Sequence, residues 1–345
     1  MSLLHENIPS KIELYPLLFR PILKDYVWGG RSFENLFRRD LPPGIVAESW
    51  EIAGHRDGTT IVENGDLAGK TLIDLHQEYG LSLIGSNSQW AQDRARFPLL
   101  VKLLDAQNRL SVQVHPNDAY ALVHENDELG KSEMWVVLYA NPEAEIILGV
   151  TKDSSPESFR EAIRTNKLDA FLHRLKVSAG DFVCVPSGSL HAILGGVVLA
   201  EVQQNSNATY RVYDWGREDD NRSLHVDKAM DVINFDQVEP SIQSPSVILS
   251  EEGVVREALC QNKYFSVERV KMTHDSNFDG YLDGRSFEIW GVIEGSARVD
   301  CQTSGVELNA VRFTLLPAAL GRYSVMATEQ STLLRIYVDD AADSD

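Results

Sequence analysis

The segment 111–116, with the sequence SVQVHP, offers an amide and an imidazole on one side of a predicted strand. Side chains alternate between the two faces of a strand, so Ser111, Gln113 and His115 share one face and two valines share the other. A polar face backed by an apolar face suits the inner wall of a binding barrel. An edge strand with a solvent-facing histidine would show the same pattern, so this segment alone decides nothing.

Two further segments add residue types that bind divalent metals. Glu133 begins the apolar run 134–138, and His191 follows a Pro-Ser-Gly turn at 186–188. Each residue, taken singly, also fits a surface or structural role. Together with the amide and imidazole of 111–116, they make a donor set suited to Zn²⁺ or another divalent first-row metal, with a position left for substrate or water.

Lys102 stands in the middle of the apolar run 99–104, LLVKLL. A lysine inside such a strand is buried, and a buried ammonium requires a partner of opposite charge. We therefore expect Lys102 to line a pocket rather than to face solvent. The other histidines, His124, His173 and His225, fall on predicted helices or loops and are expected at the surface.

Bulk composition excludes several function classes. The 345 residues carry a formal charge of -19, and the pI is near 4.9, whereas a nucleic-acid partner requires clustered cations. No run of about eighteen apolar residues occurs, and charges interrupt the first eighteen residues, so neither a membrane partner nor a signal peptide is expected.

The three cysteines, Cys184, Cys260 and Cys301, are scattered and odd in number. We predict no disulfide, a cytoplasmic location and no protein partner.

Short runs rich in β-branched and aromatic residues, separated by Gly, Pro, Asn and Asp, are typical of an all-β sandwich or barrel. The chain is therefore predicted to be all-β with minor helices. Strands are predicted at 110–114, 135–139, 145–148, 182–185, 197–202, 210–213, 265–270, 287–293, 296–299, 311–316 and 332–337. Helices are predicted at 71–79, 117–124 and 224–232, with one or two more within 155–175.

The β-rich segments form two blocks along the chain. The linker candidate is Pro240–Pro245, with two prolines and two serines. We predict a catalytic metal-binding domain over 1–240 and a second β domain over 246–345. The second domain contains only one histidine, His274, so the chemistry is expected in the first.

Several segments in this order resemble type I mannose-6-phosphate isomerases, in the short bacterial form of that family. The segments that carry the resemblance are 27–30 (VWGG), 48–52 (ESWEI), 97–106 (FPLLVKLLDA), 110–118 (LSVQVHPND), 130–133 (GKSE), 186–188 (PSG) with 191–193 (HAI), 201–206 (EVQQNS) and 209–214 (TYRVYD). The resemblance covers most of the chain. It implies two cupin-type β-sandwich barrels, of which the second is a degenerate scaffold.

The resemblance also implies a set of site residues. It implies one Zn²⁺ held by Gln113, His115, Glu133 and His191, a catalytic arginine at Arg211, and a pocket lined by Ser111, Lys102, Lys131 and Glu201. One position departs from the family pattern. Many relatives carry an acid where this chain has Asn207, and an amide cannot take over the proton transfer of an acid.

The implied reaction interconverts mannose 6-phosphate and fructose 6-phosphate through an enediolate, assisted by the metal. The residue that carries the proton is left open between Glu201 and Lys131. The charge of Arg211 would stabilise the enediolate, assist ring opening or bind phosphate. Two alternatives are a cupin oxygenase that uses Fe²⁺ and a sugar-phosphate-binding cupin without turnover. The amide ligand and the basic residues fit the oxygenase less well, and a degenerate binder could have lost Arg211.

Overall fold

The computed structural model describes residues 12–217 and 223–340. The sequence predicts no signal peptide in the first eighteen residues. Residues 1–11 of that segment lie outside the described residues. The strands are β1 Leu17–Arg20, β2 Ile22–Lys24, β3 Glu48–Ile52, β4 Gly54–His55, β5 Gly58–Thr59, β6 Ile61–Val62, β7 Leu99–Ala106, β8 Val112–Val114, β9 Glu133–Ala140, β10 Glu145–Val150, β11 Leu172–Lys176, β12 Phe182–Val185, β13 His191–Ile193, β14 Val197–Gln204, β15 Tyr210–Tyr213, β16 Ser246–Glu251, β17 Val254–Gln261, β18 Ser266–Met272, β19 Asn277–Leu282, β20 Glu288–Glu294, β21 Ser296–Cys301, β22 Gly305–Asn309, β23 Arg312–Leu316, β24 Gly321–Ala327 and β25 Ser331–Tyr337.

Helices are short and lie between the strands. They are α1 Ser32–Phe37, α2 Leu72–Tyr79, α3 Leu81–Ile84, α4 Gln89–Asp93, α5 Asp118–His124, α6 Pro156–Arg164 and α7 Val226–Val232, with 3-10 turns at Ser86–Ser88 and Leu168–Phe171. Among the described residues, no helix is long and apolar enough to cross a membrane. The prediction of an all-β chain with minor helices is confirmed.

Two antiparallel sheets enclose the first core. The six-stranded sheet has the order β12-β9-β14-β7-β3-β2, and the five-stranded sheet has the order β11-β10-β13-β8-β15. Trp135 and Leu199 from the first sheet share one hydrophobic cluster with Ile146 and Ile193 from the second. The inward faces of the two sheets therefore pack on each other, as expected of a β-sandwich.

The later strands form a second pair of sheets. An eight-stranded sheet has the order β16-β17-β18-β25-β20-β23-β1-β6, and a four-stranded sheet has the order β19-β24-β21-β22. Trp290 and Val325 lie in the core between them. The N-terminal strand β1 belongs to this second group, because Leu17 pairs with Leu315 of β23.

The helical prediction for 155–175 is correct only in its first part. Ser155 caps α6 by accepting from the backbone of Ser158, but the helix ends at Arg164, and Asn166 takes a left-handed conformation with φ of 56°. The residues that follow form a 3-10 turn and then β11, which pairs with β10. Pairing with β10 therefore takes precedence over the helical spacing of the apolar residues in this stretch.

The prediction that the cysteines form no disulfide is wrong. Cys184 of β12 and Cys260 of β17 are joined by a disulfide, with their Cα atoms 6.0 Å apart and a sequence separation of 76. The fold places β12 against β17, a contact that no local spacing of cysteines reveals. Cys301 is a free thiol.

Candidate metal centre and substrate pocket

Three metal-binding side chains converge where β8, β9 and β13 meet. His115 follows β8, Glu133 begins β9, and His191 begins β13. The His115 Nε2 atom lies 3.5 Å from Glu133 Oε2, and the His191 Nε2 atom lies 3.4 Å from Glu133 Oε1. One ligand atom from each residue lies within 4.8 Å of the other two, and all three residues are buried. This cluster is a possible metal site.

The backbone fixes the direction in which both imidazoles face. His115 Nδ1 lies 2.8 Å from the Ala208 carbonyl oxygen, and His191 Nδ1 lies 2.9 Å from the Ser189 carbonyl oxygen. Since a carbonyl only accepts, each Nδ1 carries the proton and each Nε2 presents a lone pair to the cluster. Histidines that bind metals are commonly oriented by a second hydrogen bond of this kind.

Gln113 adds the amide that the sequence suggests as a ligand. It pairs directly with His191 across β8 and β13, and its Nε2 atom lies 3.2 Å from His191 Nε2. Rotation about the last side-chain torsion exchanges the nitrogen and oxygen of an amide. The Gln113 side chain can therefore present its oxygen to a cation at the same place.

The electrostatics of the cluster suit a divalent cation. Burial, together with the nearby Glu201 carboxylate, raises the pKa of Glu133 to about 7. Neither Glu133 oxygen makes a hydrogen bond of normal geometry with a described residue, although Lys131 Nζ lies 2.9 Å from Oε2. Burial lowers the pKa of His191 to about 4, and burial with the Lys131 charge lowers that of His115. Two neutral imidazoles and a buried carboxylate without a hydrogen bond of normal geometry are suited to binding a metal ion.

Two lysines and two carboxylates lie beside the metal cluster. Lys102 Nζ is 3.0 Å from Glu201 Oε1 and 3.8 Å from Glu48 Oε2, and Lys131 Nζ is 3.9 Å from Glu201 Oε1. Burial acts to lower the pKa of Lys102, but the Glu201 and Glu48 carboxylates outweigh it and raise that pKa. Burial acts to raise the pKa of Glu201, but Lys102 and Lys131 lower it overall. Lys102 and Glu201 therefore remain charged together.

A cavity of about 300 Å³ opens onto this cluster. Arg211 lies opposite Gln113 in the pairing of β15 with β8, and its Nε donates to Ser111 Oγ at 3.2 Å. The cavity is lined by Tyr26, Trp28, Glu48, Lys102, Leu104, Leu110, Ser111, Gln113, Lys131, Glu201, Asn207, Thr209, Arg211 and His225. The metal cluster and this cavity together contain every residue that the sequence assigned to the site.

Comparison with known proteins shows the family to which the chain belongs. The family model for the catalytic domain of type I phosphomannose isomerase matches residues 17–162. A probable mannose-6-phosphate isomerase of Bacillus subtilis is 38% identical to this chain over 319 residues, which cover 91% of this chain and 97% of that protein. The chain belongs to the mannose-6-phosphate isomerase family. A curated mannose-6-phosphate isomerase of Streptococcus mutans is 36% identical and covers 86% of the chain and 90% of its own length.

Solved structures of mannose-6-phosphate isomerases have the same fold. The crystal structure of the Bacillus subtilis mannose-6-phosphate isomerase superposes with a TM-score of 0.84 at 35% identity, covering 94% of this chain and 99% of that one. A structure from Archaeoglobus fulgidus, described as a putative mannosephosphate isomerase, superposes with a TM-score of 0.74 at 22% identity and covers 95% and 100%. The second likeness concerns the fold alone.

Sequence reasoning misses several pocket residues of this isomerase family member. His225, which was expected at the surface, lines the cavity beside Arg211. His124 is exposed on α5, and His173 is half-buried on β11 outside the pocket. Glu48 lies in a segment that carried the family resemblance, so its motif was a usable signal. His225 had none, because it precedes a short helix and belongs to no periodic pattern.

Asn207, which departs from the family pattern, also lines the cavity. Its Nδ2 atom donates to Asp57 Oδ2 at 2.9 Å. Asp57 lies in the turn between β4 and β5, so this hydrogen bond joins that turn to the loop before β15. An acidic side chain is thus present at this edge of the pocket, supplied by a different part of the chain.

Proposed function

We propose that the protein interconverts mannose 6-phosphate and fructose 6-phosphate by metal-assisted proton transfer through an enediolate. The observation that carries the proposal is the convergence of His115, Glu133 and His191 beside a cavity lined by Gln113, Lys131 and Arg211, in a member of the mannose-6-phosphate isomerase family. The reaction moves a proton between C1 and C2 of an open-chain sugar. The high-energy intermediate of this reaction, the enediolate, carries negative charge on oxygen.

We infer one Zn²⁺ per chain, held by His115, His191, Glu133 and Gln113. Two imidazoles, a carboxylate and a neutral amide oxygen form a ligand set that zinc accepts. When bound, the cation supplies Lewis-acid stabilisation of charge on the sugar oxygens. Replacing Glu133 with Gln is expected to reduce the metal content measured by elemental analysis, whereas Glu143→Gln, at an exposed position, retains it.

We assign the proton transfer to Lys131 and a positioning role to Glu201. Lys131 Nζ lies 3.1 Å from His115 Nε2 and 2.9 Å from Glu133, at the end of the cavity where the reacting carbons must lie. Glu201 is held on both sides, by Lys102 and by the Trp135 indole, and its lowered pKa makes it a weak base. Its carboxylate keeps the two lysines in place.

Arg211 supplies a permanent positive charge to the cavity wall. Its guanidinium does not lose its proton in proteins, so it acts by stabilising negative charge and not by moving protons. Ser111 accepts a hydrogen bond from the Arg211 Nε and fixes the orientation of the guanidinium plane. Such a preorganised donor stabilises charge that develops on substrate oxygens.

Family membership and the intact pocket favour isomerisation over the two alternatives from the sequence. An oxygenase would not need the row of basic residues, and a binder without turnover would not need to keep both Lys131 and Arg211. The division into domains at 1–240 and 246–345, the cupin assignment of both sandwiches, the cytoplasmic location and the absence of nucleic-acid and protein partners stay predictions.

A coupled assay for fructose 6-phosphate formed from mannose 6-phosphate tests the function directly. Turnover is expected with the purified chain, to be lost on chelation and to return when Zn²⁺ is added. Full turnover in protein that elemental analysis shows to be free of metal would refute the metal-assisted mechanism. Absence of turnover in zinc-loaded protein would refute the activity itself.

A further inference from the structure

His225 forms the end of a row of functional side chains that crosses the five-stranded sheet. His191 pairs with Gln113, and Gln113 pairs with Arg211, on three neighbouring strands. Beyond β15, the His225 backbone N–H donates to the Arg211 carbonyl oxygen at 2.8 Å. Neighbouring strands are about 4.8 Å apart, so His225 lies about 10 Å from Gln113 along this row.

The hydrogen bonds of His225 determine which of its ring atoms can meet a ligand. The backbone N–H of Arg211 donates to His225 Nδ1 at 3.3 Å, so Nδ1 is an acceptor and Nε2 carries the proton. Burial, with the charges of Arg211 and Lys228, lowers the pKa of His225, so the ring is neutral. Among the described residues, no protein group accepts a hydrogen bond from Nε2, and the ring lines the cavity.

Charge differs between the two ends of the cavity. At the wall next to the metal cluster, Lys102 and Lys131 are already paired with carboxylates, so neither ammonium is free to bind a phosphate dianion. His225, one strand spacing beyond Arg211, presents an N–H donor at the other end. A hexose 6-phosphate in its open form has C1 and C2 at one end and the phosphate at the other. With the reacting carbons at the metal cluster, its phosphate extends along the row past Arg211 to His225.

We propose that His225 binds the phosphate group of the substrate through Nε2–H, beyond the Arg211 guanidinium along the row. The inference rests on the proposed isomerase function for the identity of the substrate. It makes His225 a determinant of selectivity for phosphorylated over free sugars. The backbone contact through Nδ1 holds the ring in the orientation that this role requires.

Two substitutions separate the ligand contact from the structural contact. His225→Asn keeps an acceptor near the position of Nδ1 but has no donor at the position of Nε2. His225→Gln places an amide donor near the position of Nε2. We expect His225→Asn to raise KM for mannose 6-phosphate about tenfold, the effect of one hydrogen bond to a charged group, with a smaller change in kcat. We expect His225→Gln to recover much of this loss.

Inorganic phosphate provides a probe that does not depend on turnover. Its affinity for the zinc-loaded full chain, measured by calorimetry, is expected to fall in His225→Asn and to stay unchanged in His173→Asn, a histidine outside the pocket. The ratio of kcat/KM for mannose 6-phosphate to that for mannose is expected to fall in the same variant. Wild-type phosphate affinity in His225→Asn, or failure of phosphate to bind the wild-type chain, overturns the inference.

A failure of the proposed isomerase function would be detected by a different measurement from the one that tests His225. If the wild-type chain did not isomerise mannose 6-phosphate, the isomerase proposal would fall. The phosphate affinities of the wild-type chain, His225→Asn and His225→Gln would still decide whether His225 binds phosphate.

Discussion

Trp135 and Glu201 face each other on the neighbouring strands β9 and β14, and the Trp135 indole N–H donates to Glu201 Oε2 at 3.1 Å. The other oxygen of this carboxylate lies 3.0 Å from Lys102 Nζ. Both residues are buried. Glu201 is therefore fixed in one orientation, in which it lies between the two lysines of the cavity.

Trp135→Phe is expected to reduce both stability and turnover. It removes a hydrogen bond to a buried carboxylate, which typically stabilises a fold by about 1.5–3 kcal/mol. It also allows Glu201 to rotate, and small displacements at a reacting centre lower kcat, here by about tenfold or more. Urea unfolding and the isomerase assay measure the two effects.

Trp290→Phe is the matched control for that substitution. The Trp290 indole donates to Glu288 at 2.8 Å in the second sandwich, away from the cavity. This variant is expected to lose stability and to keep its kcat. Equal loss of kcat in both variants would mean that Trp135 acts only through the stability of the fold.

The proposed metal ligands lie in short motifs that sequence can identify, whereas the rest of the pocket depends on long-range pairing. Gln113 and His115 follow from strand alternation, and Lys102 follows from its apolar surroundings. His225 enters the pocket because its backbone continues the hydrogen bonding of β15. That pairing is a property of the tertiary fold, and no spacing in the chain encodes it.

The same distinction explains the errors in the predicted elements. The strand 182–185 was predicted from its composition and is found with those bounds. β11 was missed because its helical spacing is overruled by pairing with β10. The position of β1 in the later sheet was missed because Leu17 and Leu315 meet only after the whole intervening chain has folded.

Glu133→Gln is expected to change how the stability of the metal-free chain depends on pH. The folded state raises the pKa of Glu133 from its ordinary value of 4.5 to about 7, because of burial and the nearby Glu201 carboxylate. A carboxyl group whose pKa is raised by folding stabilises the fold while protonated, and this stabilisation disappears as the pH rises through the folded pKa. Wild type should therefore lose stability relative to Glu133→Gln as the pH rises from about 4.5 to 7.

Chemical denaturation of both proteins in chelator, over this pH range, measures the effect. The difference between the two unfolding free energies removes the contributions of other groups, such as His191, that titrate in both chains. Parallel stability curves would show that Glu133 does not titrate in the folded metal-free chain.

Arg211→Ala is expected to lower kcat by about a hundredfold, the size of effect found when one preorganised donor to a developing oxyanion is removed. Ser111 and the Ser223 carbonyl lose their contacts with the guanidinium, so a small loss of stability is also expected. Arg109→Ala is the control, since Arg109 is exposed and stacks on Trp215 outside the catalytic cavity. A near-normal kcat for Arg211→Ala in the coupled assay would remove its assigned role.

Reduction of the Cys184–Cys260 disulfide is expected to destabilise the chain. The bond links β12, whose Val185 pairs with Glu133, to β17 of the second group of sheets. Crosslinks that close long loops typically stabilise a fold by about 2–4 kcal/mol. Urea unfolding with and without reductant measures the loss, and Cys184→Ser should be insensitive to reductant. Thiol titration of the unfolded, non-reduced chain should find Cys301 alone, and three reactive thiols there would show that the bond is absent.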